Sequence, residues 1–196
     1  MFGLSKSTEI NKQLPKKAIY AKFNMNTSAR EKFDADISKL SIVAEISPST
    51  VNIVKGETVS SIFVLLVSLK RKNFDEKTLS LLSKLIEQNM LFVLEYENER
   101  KLAVYYGKLI QGEWVTSENV LLSLKGLNLD SVWENLVKDI GSITVSSGNT
   151  LEEQIAADEQ KAKLEKEIAR LEKLARAEKQ PKKKFELVQK IQEMKR

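Results

Sequence analysis

Apolar positions change their spacing several times along the chain, and each change marks an element. Ile62 to Leu69 is a continuous apolar, β-branched run interrupted by Ser68. A short run with no polar side predicts a strand buried on both faces, at the centre of a sheet. Leu91 to Tyr96 and Lys101 to Tyr106, joined by polar Glu97 to Arg100, predict a hairpin. In it Phe92, Leu94 and Tyr96 point one way, while Val93 and Glu95 point to a half-exposed face. Ile42 to Ile46 and Val51 to Val54, around Ser47-Pro48-Ser49, predict a second hairpin. Lys16 to Phe23, after a polar leader ending at Pro15, is expected to be extended, and Trp114-Val115 and Val120 to Leu124 are expected to add one or two strands.

Helical spacing takes over elsewhere. Ser28-Ala29-Arg30-Glu31 has a capping-box spacing, and Phe33, Ile37 and Leu40 after it predict a helix of roughly three turns. Asn73 or Asp75 is placed to cap a helix through Gln88 with Leu79, Leu82, Leu85 and Ile86 on its apolar face. Asp130 to Ile140 predicts another, with Trp133, Leu136, Val137 and Ile140 buried. Gly141 to Asn149 is small and polar and reads as a joint. Beyond it Thr150-Leu151-Glu152-Glu153 is a further capping box, opening a helix from Leu151 to about Lys179 that Pro181 stops. A second helix follows from about Lys183 to Met194. Leu164, Ile168, Leu171 and Ala175 form a stripe on the first, and Leu187, Val188, Ile191 and Met194 on the second. The seam covers about two heptads, fewer than a long coiled coil requires, so the two helices are expected to fold back as a hairpin. Glu159 to Lys163, Glu172 to Arg176 and Glu186 to Lys190 are acid-first pairs that support the helices from the solvent side. The expected fold is α+β: residues 1–145 form a globular domain with a mixed sheet of about five to seven strands, and residues 149–196 a charged helical hairpin.

Composition narrows the chemistry more than it identifies it. The chain has 196 residues, 42% hydrophobic and 30% charged, enough for one ordinary core and an appendage. Cysteine and histidine are both absent. That excludes Ser/His and Cys/His triads, thiolate metal sites and histidine-ligated zinc. No catalytic residue, cofactor or metal ligand is assigned. No apolar run is long enough to span a bilayer, and the N-terminal residues lack a secretory pattern, so a cytoplasmic, non-membrane protein is expected. The net charge is +5 and the pI about 9.2, which permits nucleic-acid contact without requiring it. Residues 151–160 hold four acids and no base, whereas residues 161–196 hold thirteen Lys or Arg against six acids. This gradient matches the dipole of the first tail helix.

Four constellations merit chemistry. Lys70-Arg71-Lys72 and Lys182-Lys183-Lys184 are basic clusters able to neutralise phosphates. Glu95, Glu97 and Glu99 gather carboxylates around the hairpin turn, a pattern that serves a metal or simply guards a sheet edge. Leu164, Ile168, Leu171 and Leu174 form the face of the tail assigned to partner contact. Tyr96, Tyr105 and Tyr106 offer ring faces to bases, or pack within the sheet.

The order from residue 28 to 97, read as helix, three strands, helix, strand, resembles the core order of the restriction-endonuclease-like fold. That resemblance implies an acid on the second strand and an acid-x-Lys on the third, holding Mg²⁺. Here the third strand ends Ser68-Leu69-Lys70, and Val51-Asn52-Ile53 on the second offers no acid. The segments Asn11 to Lys17, Phe92 to Tyr96, Leu102 to Tyr106 and Leu164 to Phe185 together resemble an uncharacterised bacterial family of small proteins. These are often encoded beside helicase and DNA-methyltransferase genes of restriction-type or phage-defence loci. The resemblance implies a cytoplasmic accessory protein of a DNA-processing locus, with a helicase or methyltransferase of that locus as partner; the residues lead to a non-catalytic adaptor whose helical tail makes the protein contact. The alternatives are a nuclease-like or nucleic-acid-binding domain with a degenerate site, and a homo-oligomeric structural protein.

Overall fold

The computed structural model describes residues 1–195 and is α+β, with a mixed sheet and a C-terminal helical segment. The chain divides into two compact units, Met1–Ile143 and Thr144–Arg196. Among the described residues of the first unit, seven strands join one sheet: β1 (Glu9–Gln13), β2 (Ile37–Ile46), β3 (Ile62–Leu69), β4 (Asn89–Tyr96), β5 (Glu99–Tyr106), β6 (Lys108–Gln111) and β7 (Val115–Thr116). The spatial order follows the chain from β1 to β6, and β7 pairs with β5. All pairings are antiparallel except β3 with β4, which is parallel and needs a crossover. Helix α3 (Glu76–Leu82) lies in that crossover.

The centre of the sheet is β3, as its apolar run demands, between β2 and β4 with Ile62, Val64, Leu65 and Val67 fully buried. Leu65, Val67 and Leu69 share one core with Phe92, Leu94 and Ala103 of the neighbouring strands, and with Ile19, Phe33, Leu79 and Leu82 from helices α1 (Lys16–Lys22), α2 (Thr27–Asp36) and α3. Helix α4 (Leu129–Gly141) packs on β5 and β6, and Gly141 approaches Ile110, which points away from that core. Helices therefore cover both faces. Each fully buried Leu or Phe contributes about 1.5–3 kcal/mol. This two-sided cover corrects the half-exposed face expected on β4, where Met90 to Leu94 are all buried.

Several expected elements take another form. The three-turn helix ends at Asp36, and Ile37 and Leu40 lie in β2, paired from Ile37 with Leu69 to Ile46 with Ile62. A register shift between Ile37 and Lys39 adds a residue to that strand. The extra residue puts Ile37 and Leu40, three apart, in the same core. Helical spacing was therefore a bulged strand. The cap of α2 is Asn26, whose side chain accepts from the Ala29 amide at 2.9 Å, two residues before the expected Ser28. Val51 to Val54 is not a strand. Thr50 Oγ1 closes this turn by accepting from the Ser47 amide and donating to the Glu45 carbonyl, and Val54 makes one isolated bridge with Asn128. The segment from residue 28 to 97 is thus helix, two strands, helix, strand, one strand short of the nuclease-like order.

Lys16–Lys22 is helical, with Ile19 buried and Tyr20 and Phe23 at its sides, rather than extended. Helix α3 stops at Leu82, and Leu85 and Ile86 pack beyond its end. Of the late strands, Val115–Thr116 forms and Val120 to Leu124 does not, while the sequence pattern missed β6 and the polar edge strand β1. The β4–β5 turn is tighter than expected, since Tyr96 pairs with Glu99 and leaves Glu97 and Asn98 as the loop. Glu97 takes a positive φ of 51° there.

The second unit consists of α5 (Leu151–Ala177) and α6 (Pro181–Met194). The capping box forms: Glu153 N donates to Thr150 Oγ1 at 3.2 Å, and Thr150 N donates to Glu153 Oε2 at 2.8 Å. Pro181 is the first residue of α6, a position that needs no amide hydrogen. Leu171, Ala175 and Ile191 form the buried seam, flanked by Ile168, Leu187 and Met194. Lys195 Nζ reaches Glu172 across the hairpin at 2.8 Å, a partner other than the expected Arg176. Among the described residues, no helix is long and apolar enough to cross a membrane.

Candidate functional site

The loop after β3 is shaped by one buried carboxylate. Asp36, at the last turn of α2, is fully buried, and it accepts Arg71 Nε at 2.6 Å and the Asp75 amide at 2.9 Å. Its carbonyl accepts the Lys70 amide at 2.7 Å. A buried charge without such partners costs several kcal/mol, so the loop is held where it satisfies Asp36. Lys70 and Lys72 flank the anchored Arg71 and are exposed. Lys72 pairs with Glu99 and lies 5.6 Å from the centroid of the Trp114 ring, and Lys101 lies 5.9 Å from the same ring. The three residues of the first basic cluster therefore differ: Arg71 is structural, Lys72 is shared between an acid and a ring, and Lys70 is exposed, acting on Asp34 only at longer range.

Two residues back along α2, Asp34 Oδ1 accepts Lys16 Nζ at 2.6 Å and Tyr20 Oη at 2.6 Å. Those two bonds, Lys16 first, hold the Asp34 carboxyl below its ordinary value, with Lys70 adding at longer range. Burial, followed by the hydrogen bond to Asp34, pushes the Tyr20 phenol from 10.0 up to about 12. Arg30 covers the Tyr20 ring at 5.6 Å, and the ring meets Phe33 edge-on. Arg30, Lys17, Tyr20 and Asp34 line a shallow cleft of about 370 Å³.

The carboxylates of the hairpin turn do not converge. Glu95 is paired with Arg100, whose Nε and Nη2 donate at 2.8 and 2.6 Å, while Glu99 faces Lys72. Residues opposite in the register share a face, so Glu95 with Arg100 and Glu99 with Tyr96 lie on opposite sides of the sheet. Tyr96 is raised by its hydrogen bond to Glu97. Among the described residues, no group of three or more His, Cys, Asp or Glu side chains is placed to hold a metal ion. Ser68 stands beside Glu95 across the parallel pair, and Arg100 occupies that acid.

In the tail, Lys182, Lys183 and Lys184 form the first turn of α6, where no acid is present. Positive charge there opposes the helix dipole. Of the four residues assigned to partner contact, Ile168 and Leu171 belong to the hairpin's own seam, and Leu164 and Leu174 are exposed at 41% and 46%. Phe185, exposed at 66%, and Val188 were not assigned to partner contact. The available signal was that Phe185 falls off the Leu187, Ile191, Met194 stripe. Leu174, Ala177 and Leu187 floor a groove of about 770 Å³ near the bend, with Lys179, Lys183 and Lys190 around it and Glu178 and Glu186 between them.

Geometry thus defines an α+β protein with helix-covered sheet, a basic loop organised by a buried acid, and a two-helix unit that leaves Leu164, Leu174, Phe185 and Val188 exposed outside its seam. The chain belongs to the family described as Domain of unknown function (DUF4391), whose model matches residues 2–196. No curated protein and no solved structure matches the chain significantly.

Proposed function

We propose that this protein is a non-catalytic accessory protein that binds a protein partner through its α5–α6 hairpin. The observation that supports the reading is the mismatch between seam and surface. Three residues, Leu171, Ala175 and Ile191, are buried in the seam, while Leu164, Leu174, Phe185 and Val188 remain exposed. Contiguous apolar exposure is characteristic of contact surfaces, and of these four Leu174 joins Ala177 and Leu187 in the groove at the bend. The groove at the bend has an apolar floor and lysines at its rim, which suits a helix with an apolar stripe flanked by acids. Lysines in the first turn of α6 oppose the helix dipole, a cost that an acidic partner would offset. The first partners to test are the helicase and methyltransferase that the family resemblance implies.

Leu174→Glu keeps a good helix former while placing a charge on the groove floor. Capture of the co-expressed partner should fall about thirtyfold or more, as for a central contact worth about 2 kcal/mol, with the far-UV circular dichroism unchanged. Lys183→Glu with Lys190→Glu should weaken capture less and abolish its salt dependence. If both variants capture the partner as well as the native chain, the reading is wrong. Light scattering separates the rival occupant: a doubled mass that Leu174→Glu restores to one chain would assign the face to a second copy.

A further inference from the structure

Several cations of the first unit gather around two aromatic rings. Lys70, bonded through its amide to Asp36, sits between two groups of charge and ring. On one side are Lys16, Lys17 and Arg30 around Tyr20, organised by Asp34. On the other are Lys72 and Lys101 around Trp114, organised by Glu99. Asp34 and Asp36 lie two residues apart in α2: Asp34 holds Lys16 and Tyr20, and Asp36 holds the loop that carries Lys70 to Lys72. Lys17, Lys70 and Lys101 meet no carboxylate within ion-pair distance among the described residues. Each ring already has a cation near its face, Arg30 at 5.6 Å on Tyr20 and Lys72 at 5.6 Å on Trp114.

We infer that this belt, Tyr20 with Arg30 at one end, Lys70 in the middle and Trp114 with Lys72 and Lys101 at the other, binds a single-stranded nucleic acid. Exposed cations neutralise backbone phosphates, and aromatic faces between them take unpaired bases, which a duplex does not present. An acidic peptide shares the charge but has no bases to stack. The belt lies in the first unit and does not depend on the tail reading.

The test uses the full chain with fluorescein-labelled dT and U strands of about 20 nucleotides, a duplex of the same length and poly-glutamate as competitor, at about 50 and about 200 mM salt. The chain has two tryptophans, and Trp133 is buried in α4, so quenching on adding a strand reports Trp114. The expected result is single-strand binding at least about tenfold tighter than duplex, with tryptophan quenching that Trp114→Phe removes. Lys70→Ala, Lys72→Ala and Lys101→Ala combined should cost about tenfold or more and flatten the log–log salt slope by about 2, at about 0.7 per phosphate. Thermal melts of the variant and native chain should coincide. Tighter binding to dT or to U then tells which polymer the belt takes. The inference falls if the combined variant binds like the native chain, if the strand leaves the tryptophan signal unchanged, or if poly-glutamate competes as well as an unlabelled strand. It falls equally if Lys182→Ala, Lys183→Ala and Lys184→Ala, rather than the body lysines, abolish binding.

Discussion

Lys70-Arg71-Lys72 and Lys182-Lys183-Lys184 are near twins in sequence, and the two units treat them in opposite ways. In the body, Arg71 is tied to buried Asp36, Lys72 to Glu99 and Trp114, and the loop between β3 and α3 has little freedom left. In the tail, the three lysines open a helix with no acid in its first turn. The difference follows from burial. A seven-stranded sheet covered on both faces can bury a carboxylate and make it organise a surface loop, whereas a two-helix seam of three buried residues has no interior in which to do so. Precise placement of charge suits a ligand with fixed geometry, and loosely held charge suits a partner that supplies its own order.

The largest expected effect tests whether the two interiors differ as much as their burial suggests. Phe92→Ala empties the middle of the body core and should cost about 3–5 kcal/mol in urea unfolding. Leu171→Ala, in the thinner seam, should cost about 2 kcal/mol, the low end for such truncations, and should show as lost helical signal rather than lost sheet. Equal losses would break the comparison.

A smaller effect sharpens the role of fixed carboxylates in the body. Asp130, in the first turn of α4, accepts the Glu57 and Val59 amides at 2.7 and 2.8 Å and the Thr58 hydroxyl at 2.8 Å. The Thr58 hydroxyl first, and then these amides, lower its pKa below the usual 3.8. A carboxyl depressed on folding stabilises the protein above its unfolded pKa and loses that contribution as pH falls through the folded value. Asp130→Asn should therefore flatten the stability profile below about pH 4, measured by thermal melts from pH 6 downward. Gly56 is the companion site, because an added Cβ would lie 2.3 Å from Asp130 Oδ1 and 2.8 Å from its amide. Gly56→Ala should cost about 1–3 kcal/mol at neutral pH, where Asp130→Asn costs less. If the two variants share one pH profile, the amide cradle does not depend on charge.

The smallest effect belongs to the tail. Lys182→Glu and Lys183→Glu should each raise helix stability by about 0.3–1 kcal/mol at low ionic strength, because they correct the sign of charge at the start of α6. Charge reversal at Lys70 has no helix dipole to correct, so its melt should not rise. A stabilised Lys70→Glu variant would erase the contrast between the clusters.

Legibility followed how local each signal was. The continuous run Ile62 to Leu69, the alternation of Phe92, Leu94 and Tyr96, the 3.6-residue stripe of α4 and the Thr150 capping box each needed only neighbouring residues to read. Ile37 and Leu40 misled because a bulge gave a strand the spacing of a helix. Strand β1 was hidden because an edge strand with its side chains in water need not alternate. In the candidate sites, the basic clusters were visible as composition, but not Asp36, Asp34, Trp114 or Lys101, which join the belt from helix α2 and from strands and loops far along the chain.

The sequence by itself determined the α+β class, the central strand, the two tail helices and the absence of histidine and cysteine chemistry, since each depends on composition or short-range periodicity. Tertiary structure alone decided that both faces of β4 would be dry, which cation of the basic loop would be anchored and which partner each carboxylate would meet. Those outcomes depend on long-range pairing and on satisfying Asp36 where water cannot reach it, and neither requirement leaves a trace in the residues next to it.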